Sequence, residues 1–282
     1  MQKHNIRIWA HRGARSVAPE NTLAAAQAAL IQGADGWEFD VHLTADHEAV
    51  VIHDHGLRRT TNIAQMAEAP VRRHQVVTQL TLAQIKTLDA GSWFIRRDPF
   101  KALAQGKAFG SEQVITQQRI PTLVEALTWS QVQNMFVNVE LKSTPGTEDN
   151  VEALAQEVAS CLHKTGMSQK ALISSFSPHS LKYFKKFCPQ VPVGLLLDRK
   201  SMEQSNEVIL AMLDQVGAWA LHPACTGLSP GRIAFFRKAG FHVNVYTVNQ
   251  EQEMIWLMEE GATALITDYP GQAKRVRDSF TP

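Results

Sequence analysis

Two histidines and two carboxylates are the residues in this chain best suited to moving protons and holding a cation. His11 and His53 each close an apolar run, where a strand should end. Histidine is the side chain that titrates closest to neutral pH, so this pair predicts a general acid and a general base rather than two structural strand-end imidazoles. Between them lie Glu38 and Asp40, which are two residues apart and therefore share one face of a strand.

A third carboxylate, Glu140, lies in a run where polar and apolar residues alternate, so that it faces the same way as Lys142. Three carboxylates that converge without a cation would repel one another. We therefore expect Glu38, Asp40 and Glu140 to bind one divalent cation. Ligands that are all oxygen suit Mg²⁺, Ca²⁺ or Mn²⁺ better than zinc. The alternative is that these carboxylates only form ion pairs with basic neighbours.

Arg12 and Lys142 add positive charge at the same strand ends. A guanidinium matches the geometry of a phosphoryl group, so these two residues predict binding of an anionic phosphodiester. Their alternative role is to neutralise the acidic residues as counterions.

The elements that must position these groups alternate along the chain. Eight short apolar runs are predicted as strands, near 6–10, 36–41, 134–141, 171–175, 192–197, 217–221, 242–246 and 263–267. Eight helices are predicted near 20–32, 122–132, 148–166, 178–187, 201–214, 229–239, 250–260 and 270–279. Eight strands and eight helices are the count of an α/β fold of the TIM barrel type, in which chemistry takes place at the C-terminal ends of the strands. A doubly wound open sheet is the rival fold, but the chain has no glycine-rich nucleotide motif to support it.

The run that ends at His53 follows the second strand after a turn too short for a parallel crossover. We therefore predict a hairpin that returns His53 to the rim of the barrel. The following segment, from about 55 to 118, supplies no barrel strand and is predicted to cap the site, with a helix at 81–90. Because it would have little core of its own, we predict one domain over residues 1–282.

Composition limits the classes of function. The chain has 282 residues and a formal charge of +1, and its charges show no basic cluster of the kind that binds nucleic acid. Three widely spaced cysteines argue against a disulfide framework. No apolar run has the length of a membrane span or a signal core. These features predict a cytoplasmic enzyme without stable membrane association, of unknown oligomeric state.

The chain resembles the glycerophosphodiester phosphodiesterases of the cytoplasmic bacterial type. The similarity rests on ordered motifs that span nearly the whole sequence: His11-Arg12-Gly13, Pro19-Glu20-Asn21-Thr22, Gly33-Ala34-Asp35-Gly36, Glu38-x-Asp40-Val41, Val51-Ile52-His53-Asp54, Leu57-x-Arg59-Thr60-Thr61, Ile120-Pro121-Thr122-Leu123, Glu140-Leu141-Lys142, Ser175-Phe176, Thr247-Val248-Asn249 and Ile266-Thr267-Asp268-Tyr269-Pro270.

This resemblance implies a TIM barrel with an inserted cap that hydrolyses glycerophosphocholine, glycerophosphoethanolamine or similar diesters to an alcohol and sn-glycerol 3-phosphate. It implies that His11 and His53 are acid and base, that the three carboxylates hold Mg²⁺ or Ca²⁺, and that Arg12 and Lys142 contact phosphate. Phe176 and Tyr246 match further substrate contacts. Tyr246 replaces the tryptophan usual in the family, and Ala26 replaces a helix aromatic.

Two other functions fit a barrel of this kind. A phospholipase that acts on intact lipid would need an apolar membrane-facing loop. The apolar run Trp93-Phe94-Ile95 is followed by the charged residues Arg96-Arg97-Asp98, and this mixed stretch fits the core of the cap better than a membrane anchor. A barrel that binds a phosphorylated metabolite without turnover would be favoured by loss of a histidine or an acidic ligand, and all of these are present. Neither which histidine is the acid nor whether water or a substrate hydroxyl attacks follows from the sequence.

Overall fold

Eight parallel strands close into a barrel, which confirms the predicted fold class. The computed structural model describes residues 6–66, 75–143 and 148–280. The barrel strands follow the order β1, β2, β4, β5, β6, β7, β8, β9, and β9 pairs again with β1. The nine strands of the sheet are β1 Arg7–His11, β2 Gly36–Leu43, β3 Ala49–Val51, β4 Phe136–Leu141, β5 Ala171–Ser175, β6 Val193–Leu197, β7 Ala220–Pro223, β8 His242–Val245 and β9 Ala264–Thr267.

Helices follow the barrel strands and cover the outside of the sheet. Within the described residues they are α1 Leu23–Ile31, α2 Leu82–Ile85, α3 Ser92–Arg97, α4 Glu112–Thr116, α5 Leu123–Val132, α6 Glu148–Thr165, α7 Pro178–Phe187, α8 Asn206–Val216, α9 Arg232–Lys238, α10 Glu251–Glu259 and α11 Pro270–Ser279. Their inner faces and the outer faces of the strands form one continuous apolar core. The eight helices predicted around the barrel are all present.

Some predicted helix starts are wrong by a few residues because capping groups define them. The start of α5 agrees with its prediction to one residue: Thr122 caps the helix, and its side chain and that of Glu125 exchange hydrogen bonds with the backbone of the first turn. The helix predicted from 201 begins only at Asn206, because Ser205 caps it. The helix predicted from 229 begins at Arg232, after Gly231 with a φ of 80°.

The second strand forms the predicted hairpin. β3 runs antiparallel to β2, with Val51 opposite Val41 and Ala49 opposite Leu43. The amide of Ile52 donates to the Asp40 carbonyl at 2.9 Å. This pairing returns the chain toward the C-terminal end of the barrel strands, and His53 directly follows Ile52, the residue bonded to Asp40.

The segment between β3 and α5 supplies no strand to the barrel in the residues described, and residues 67–74 lie outside them. It packs on the hairpin through a cluster that includes Val50, Ile52, Leu57 and Leu80. Trp93 and Phe94 anchor another cluster within it. The segment thus buries more apolar surface than its sequence indicated, whereas the helix predicted at 81–90 extends only over Leu82–Ile85. That the segment and the barrel form a single domain remains a prediction.

Candidate active site

Strand register brings the acidic residues together at the C-terminal rim. β1 and β2 place His11 opposite Glu38, and β2 and β4 place Asp40 opposite Glu140. Each of Glu38, Asp40 and Glu140 offers one oxygen, and these oxygens lie within 4.8 Å of one another. All three carboxylates are buried.

The charges in this cluster are not balanced by the protein. Burial, Asp40 and Glu140 raise the pKa of Glu38 well above its usual value, and burial and Asp40 raise that of Glu140. Burial also disfavours ionisation of Asp40, but Lys142 and Arg12 outweigh it and lower the pKa of Asp40. Asp40 Oδ1 is buried and receives no hydrogen bond, and its nearest cationic group is Lys142 Nζ at 3.2 Å. Hard oxygen donors that carry unbalanced negative charge and an open lone pair fit a divalent cation.

His11 is held by a carboxylate from the other end of the chain. Its Nδ1 lies 2.7 Å from Oδ1 of Asp268, and Asn249 donates to the other oxygen at 2.8 Å. Burial disfavours the charged form of Asp268, but the hydrogen bond and charge of His11 and the charge of Arg15 lower its pKa. An ionised carboxylate only accepts, so Nδ1 carries the proton and Nε2 is left for a substrate.

His53 has an equivalent support from its own neighbour. Its Nδ1 lies 2.6 Å from Oδ1 of Asp54. Arg59, from the cap segment, donates to both oxygens of Asp54. His53 therefore also keeps Nε2 available, and the cap fixes the carboxylate that orients it. The two histidine side chains differ in exposure, 14% for His11 and 30% for His53.

One buried carboxylate, Glu20, connects the supports of both histidines. Arg59 donates to its two oxygens at 3.0 and 2.6 Å, and Arg12 donates to it at 2.9 Å. Arg15 lies 3.1 Å from Glu20 and 3.6 Å from Asp268. Burial disfavours ionisation of Glu20, but the hydrogen bond from Arg59 and the charges of the arginines lower its pKa to about 2.

The predicted phosphate contacts lie against the acidic cluster. Arg12 Nε is 3.5 Å from Asp40 Oδ2, and its amide donates to Glu38 at 2.9 Å. Lys142 Nζ is 2.7 Å from Glu140 and 3.2 Å from Asp40. Gly13 has a φ of 79°, and a Cβ there would lie 2.6 Å from the backbone of the first residues of α1. Only glycine allows the turn that follows Arg12 to approach this helix.

The other two predicted substrate contacts form an aromatic pair. The rings of Phe176 and Tyr246 meet edge to face, with centroids 6.0 Å apart. The Tyr246 hydroxyl donates to the Leu197 carbonyl at 3.1 Å. Phe176 remains 44% exposed, so its free face is open to a ligand. His42, which received no role from the sequence, is buried with Nε2 3.0 Å from the carbonyl of His53.

All nine predicted site residues lie within the described residues. The acidic, basic and histidine side chains among them are connected at one rim of the barrel, directly or through Asp54, Asp268, Arg15, Arg59 and Glu20. Sequence reasoning assigned no role to Asp54, Asp268, Glu20 or Arg59. Each of them occurs in a motif quoted for the family resemblance, and Asp54 directly follows His53. Their presence in those motifs could have marked them as functional residues. The side chains that they contact, however, are brought near them only by the fold.

The chain is similar to proteins of known family over most of its length. The model of the Glycerophosphoryl diester phosphodiesterase family matches residues 11–272. The glycerophosphodiester phosphodiesterase of Caldanaerobacter subterraneus subsp. tengcongensis is 32% identical over 93% of this chain and 94% of its own length. A glycerophosphodiester phosphodiesterase of Bacillus subtilis is 32% identical over 96% of this chain and 86% of its own length.

Solved structures show the same architecture. An Oleispira antarctica phosphodiesterase, determined in complex with the product sn-glycerol-3-phosphate, is 29% identical and superposes with a TM-score of 0.79 over 97% of each chain. A glycerophosphodiester phosphodiesterase from Agrobacterium tumefaciens is 25% identical, with a TM-score of 0.72 over 96% of this chain and 99% of that one.

Proposed function

The chain belongs to the glycerophosphoryl diester phosphodiesterase family, and from that premise we propose that it hydrolyses soluble glycerophosphodiesters to an alcohol and sn-glycerol 3-phosphate. Glycerophosphocholine and glycerophosphoethanolamine are the substrates we expect. The observation that carries the proposal is the convergence of two carboxylate-supported histidines on a cluster of three carboxylates. The product complex of the Oleispira relative supports the same product here.

Glu38, Asp40 and Glu140 would hold one divalent cation, Mg²⁺ or Ca²⁺. The fit rests on their oxygen-only donor set and on the buried Oδ1 of Asp40, which receives no hydrogen bond and is approached only by Lys142. When bound, the cation supplies positive charge that polarises the phosphoryl group. Asn21 donates to the second oxygen of Asp40 at 2.9 Å, which keeps this carboxylate in place.

Arg12 and Lys142 bind and orient the phosphodiester anion. Both are largely buried ion-pair partners of the acidic cluster, so their side chains are held at the rim before substrate arrives. Fixed cations that need no reorganisation stabilise the charge that develops on phosphoryl oxygens. In this arrangement each basic group has two functions, since it also limits repulsion among the carboxylates.

His11 is assigned as the general base. Burial, together with the charges of Arg12 and Arg15, lowers its pKa, so that its Nε2 is unprotonated near neutral pH and accepts a proton from the attacking hydroxyl. That hydroxyl belongs either to water or to the glycerol of the substrate, and ³¹P NMR of the reaction distinguishes them by the cyclic phosphate that only the second route forms.

His53 is assigned as the general acid that protonates the departing alcohol oxygen. Its side chain is the more exposed of the two, and it lies at the junction of the hairpin and the cap segment, from which an alcohol can leave to solvent. Asp54 holds Nδ1 of His53 at 2.6 Å and so orients Nε2 toward the departing oxygen. Phe176 and Tyr246 provide the apolar wall for the substrate.

A small-molecule substrate implies no nucleic acid partner and no stable membrane association, and we propose a cytoplasmic location. The three cysteines are free and buried, which is compatible with a reducing compartment. No helix in the described part of the chain is long and apolar enough to cross a bilayer.

The proposal is tested by measuring release of glycerol 3-phosphate from glycerophosphocholine and glycerophosphoethanolamine after chelation, and again after addition of Mg²⁺ or Ca²⁺. We expect release that chelation abolishes and one of the two ions restores. Intact phosphatidylcholine in mixed micelles serves as the comparison substrate. Turnover of the micellar lipid alone, or binding of glycerophosphocholine without turnover under either ion, would contradict the proposal.

A further inference from the structure

A second cavity opens at the end of the barrel opposite the candidate active site. Its volume is about 470 Å³, and it lies where strands begin, beside Arg7 of β1, Phe136 of β4 and His242 of β8. The volume falls within the range of small-molecule sites, about 300 to 1,000 Å³. Because the phosphodiester chemistry belongs at the other rim, that chemistry does not explain this cavity.

Positive charge converges on this cavity. Arg7, Lys170 and Arg237 line it, and no aspartate or glutamate does so among the described residues. Their contacts there are neutral: Arg7 lies over the ring of Phe136 at 4.5 Å, Lys170 donates to Asn134 and Arg237 donates to a backbone carbonyl. No ion pair joins these three cations to a described carboxylate. Arg7 and Arg237 are exposed and Lys170 is partly buried, so these cations are accessible to an anion from solvent, and a cleft lined by one sign of charge attracts the opposite sign.

His242 shows that two of these cations act at the same place. Burial lowers the pKa of its imidazole, and the positive charges of Arg237 and Arg7 lower it further. The two guanidinium groups come from opposite ends of the chain, so their common field at His242 is a product of barrel closure. This local charge contrasts with the near neutrality of the whole chain, which has a formal charge of +1.

The walls and floor of the cavity favour a flat ring. Trp219 stacks on His242 with a centroid distance of 3.6 Å, and it is 39% exposed. Trp9 and Phe136 add aromatic surface. Asn244, which is 2% exposed, also lines the cavity, and its amide is held in place by Thr263, which donates to its oxygen at 2.8 Å, and by Nε2 of His222, 2.9 Å from its nitrogen.

We propose that this cavity binds a small phosphate monoester that carries an aromatic ring, of the nucleoside monophosphate class. The phosphate contacts Arg7, Lys170 and Arg237, and the ring lies against Trp219. Three cations match a dianion better than a monoanion, and guanidinium groups bind phosphate through paired N–H donors. The site is separate from the catalytic rim and does not depend on the proposed function.

The test is isothermal titration calorimetry with adenosine 5′-monophosphate. Adenosine, which lacks the phosphate, and inorganic phosphate, which lacks the ring, are each expected to bind at least about tenfold more weakly, because each omits one group of contacts. Each titration is repeated with His11→Ala, a substitution at the catalytic rim that leaves the cavity lining intact. Binding of the nucleotide should persist with one site per chain.

Arg237→Gln and Lys170→Gln should each weaken nucleotide binding about tenfold or more, because each loses a charged phosphate contact. Arg275→Gln is the matched control, since this arginine also donates to a backbone carbonyl four residues away but lies outside the cavity. Glycerophosphocholine hydrolysis and the melting temperature should be unchanged in all three variants. Absence of nucleotide binding, loss of nucleotide binding in His11→Ala, or equal affinity of Arg237→Gln and wild type would overturn the proposal.

Discussion

The Nδ1 atom of His11 lies 2.7 Å from Oδ1 of Asp268, although 257 residues separate them in the chain. The histidine ends β1 and the aspartate follows β9, and these two strands are paired neighbours in the barrel. Closure of the barrel therefore creates the contact that orients one proposed catalytic imidazole. The equivalent contact of His53 is local, with Asp54 next in sequence.

Asp268→Asn is expected to lower kcat about 100-fold, because an amide can donate to Nδ1 and so stabilise the tautomer whose Nε2 carries a proton. Steady-state hydrolysis of glycerophosphocholine measures the loss. The control is Asp214→Asn in α8, on an exposed position. An Asp268→Asn enzyme with wild-type kcat would show that the pair does not orient His11 for catalysis.

Glu20→Gln should destabilise the fold in a pH-dependent way. The pKa of Glu20 is about 2 in the folded protein and 4.5 ordinarily, so its ionised form stabilises the fold above about pH 4.5 and this contribution is lost as the pH falls toward 2. A shift of this size corresponds to about 3 kcal/mol at neutral pH. Urea unfolding of the variant and of wild type at several pH values gives the difference.

Glu259→Gln, an exposed substitution in α10, is the control for the Glu20 measurement and should change the free energy of unfolding little. The difference in the free energy of unfolding between wild type and Glu20→Gln should decrease below about pH 4.5, because Glu20 of the wild type then takes up a proton. If this difference in the free energy of unfolding stays constant down to pH 3, the charge of Glu20 does not stabilise the fold.

Binding of Mg²⁺ or Ca²⁺ should weaken as the pH falls below neutrality. Burial and the neighbouring carboxylates raise the pKa of Glu38 and of Glu140, so the cation must displace protons that these groups retain. Titration calorimetry at two pH values, in buffers of different ionisation enthalpy, measures both affinity and proton release. Affinity independent of pH, with no proton released, would contradict this account of the cluster.

Phe176→Ala should raise KM for glycerophosphocholine about tenfold while leaving the melting temperature nearly unchanged, since the ring is 44% exposed in the free protein and contributes mainly when a ligand covers it. Phe187→Ala is the matched control, because that ring is 40% exposed on α7, away from the aromatic pair. Equal KM values for Phe176→Ala and wild type would remove Phe176 from the substrate wall.

The barrel could be predicted from the sequence because each strand is a short apolar run and each intervening segment has helix length. Alternation along β2 and β4 placed Glu38, Asp40 and Glu140 on the inward face, which the register confirms. The short turn before Ala49 excluded a parallel crossover, and the hairpin that it predicted is present.

Other features depend on tertiary structure. Nothing local indicates that Arg59 binds Glu20, because this contact needs the hairpin and cap segment in place, whereas Arg12 and Arg15 bind Glu20 from the same loop. The apolar cluster around Leu57 likewise depends on packing against Val50 of β3. The late start of α8, by contrast, was readable, since Ser205 is a good N-cap residue.

The most direct test of the central claim compares His11→Ala and His53→Ala on two diesters of glycerol 3-phosphate, one with choline and one with p-nitrophenol, a leaving group that needs no protonation. Both variants should lose about 100-fold or more in kcat with the choline ester. His53→Ala alone should recover with the nitrophenyl ester, because only the general acid becomes dispensable. Wild-type rates with the choline ester in either variant, under saturating cation and with an unchanged melting temperature, would contradict catalysis by the histidine pair.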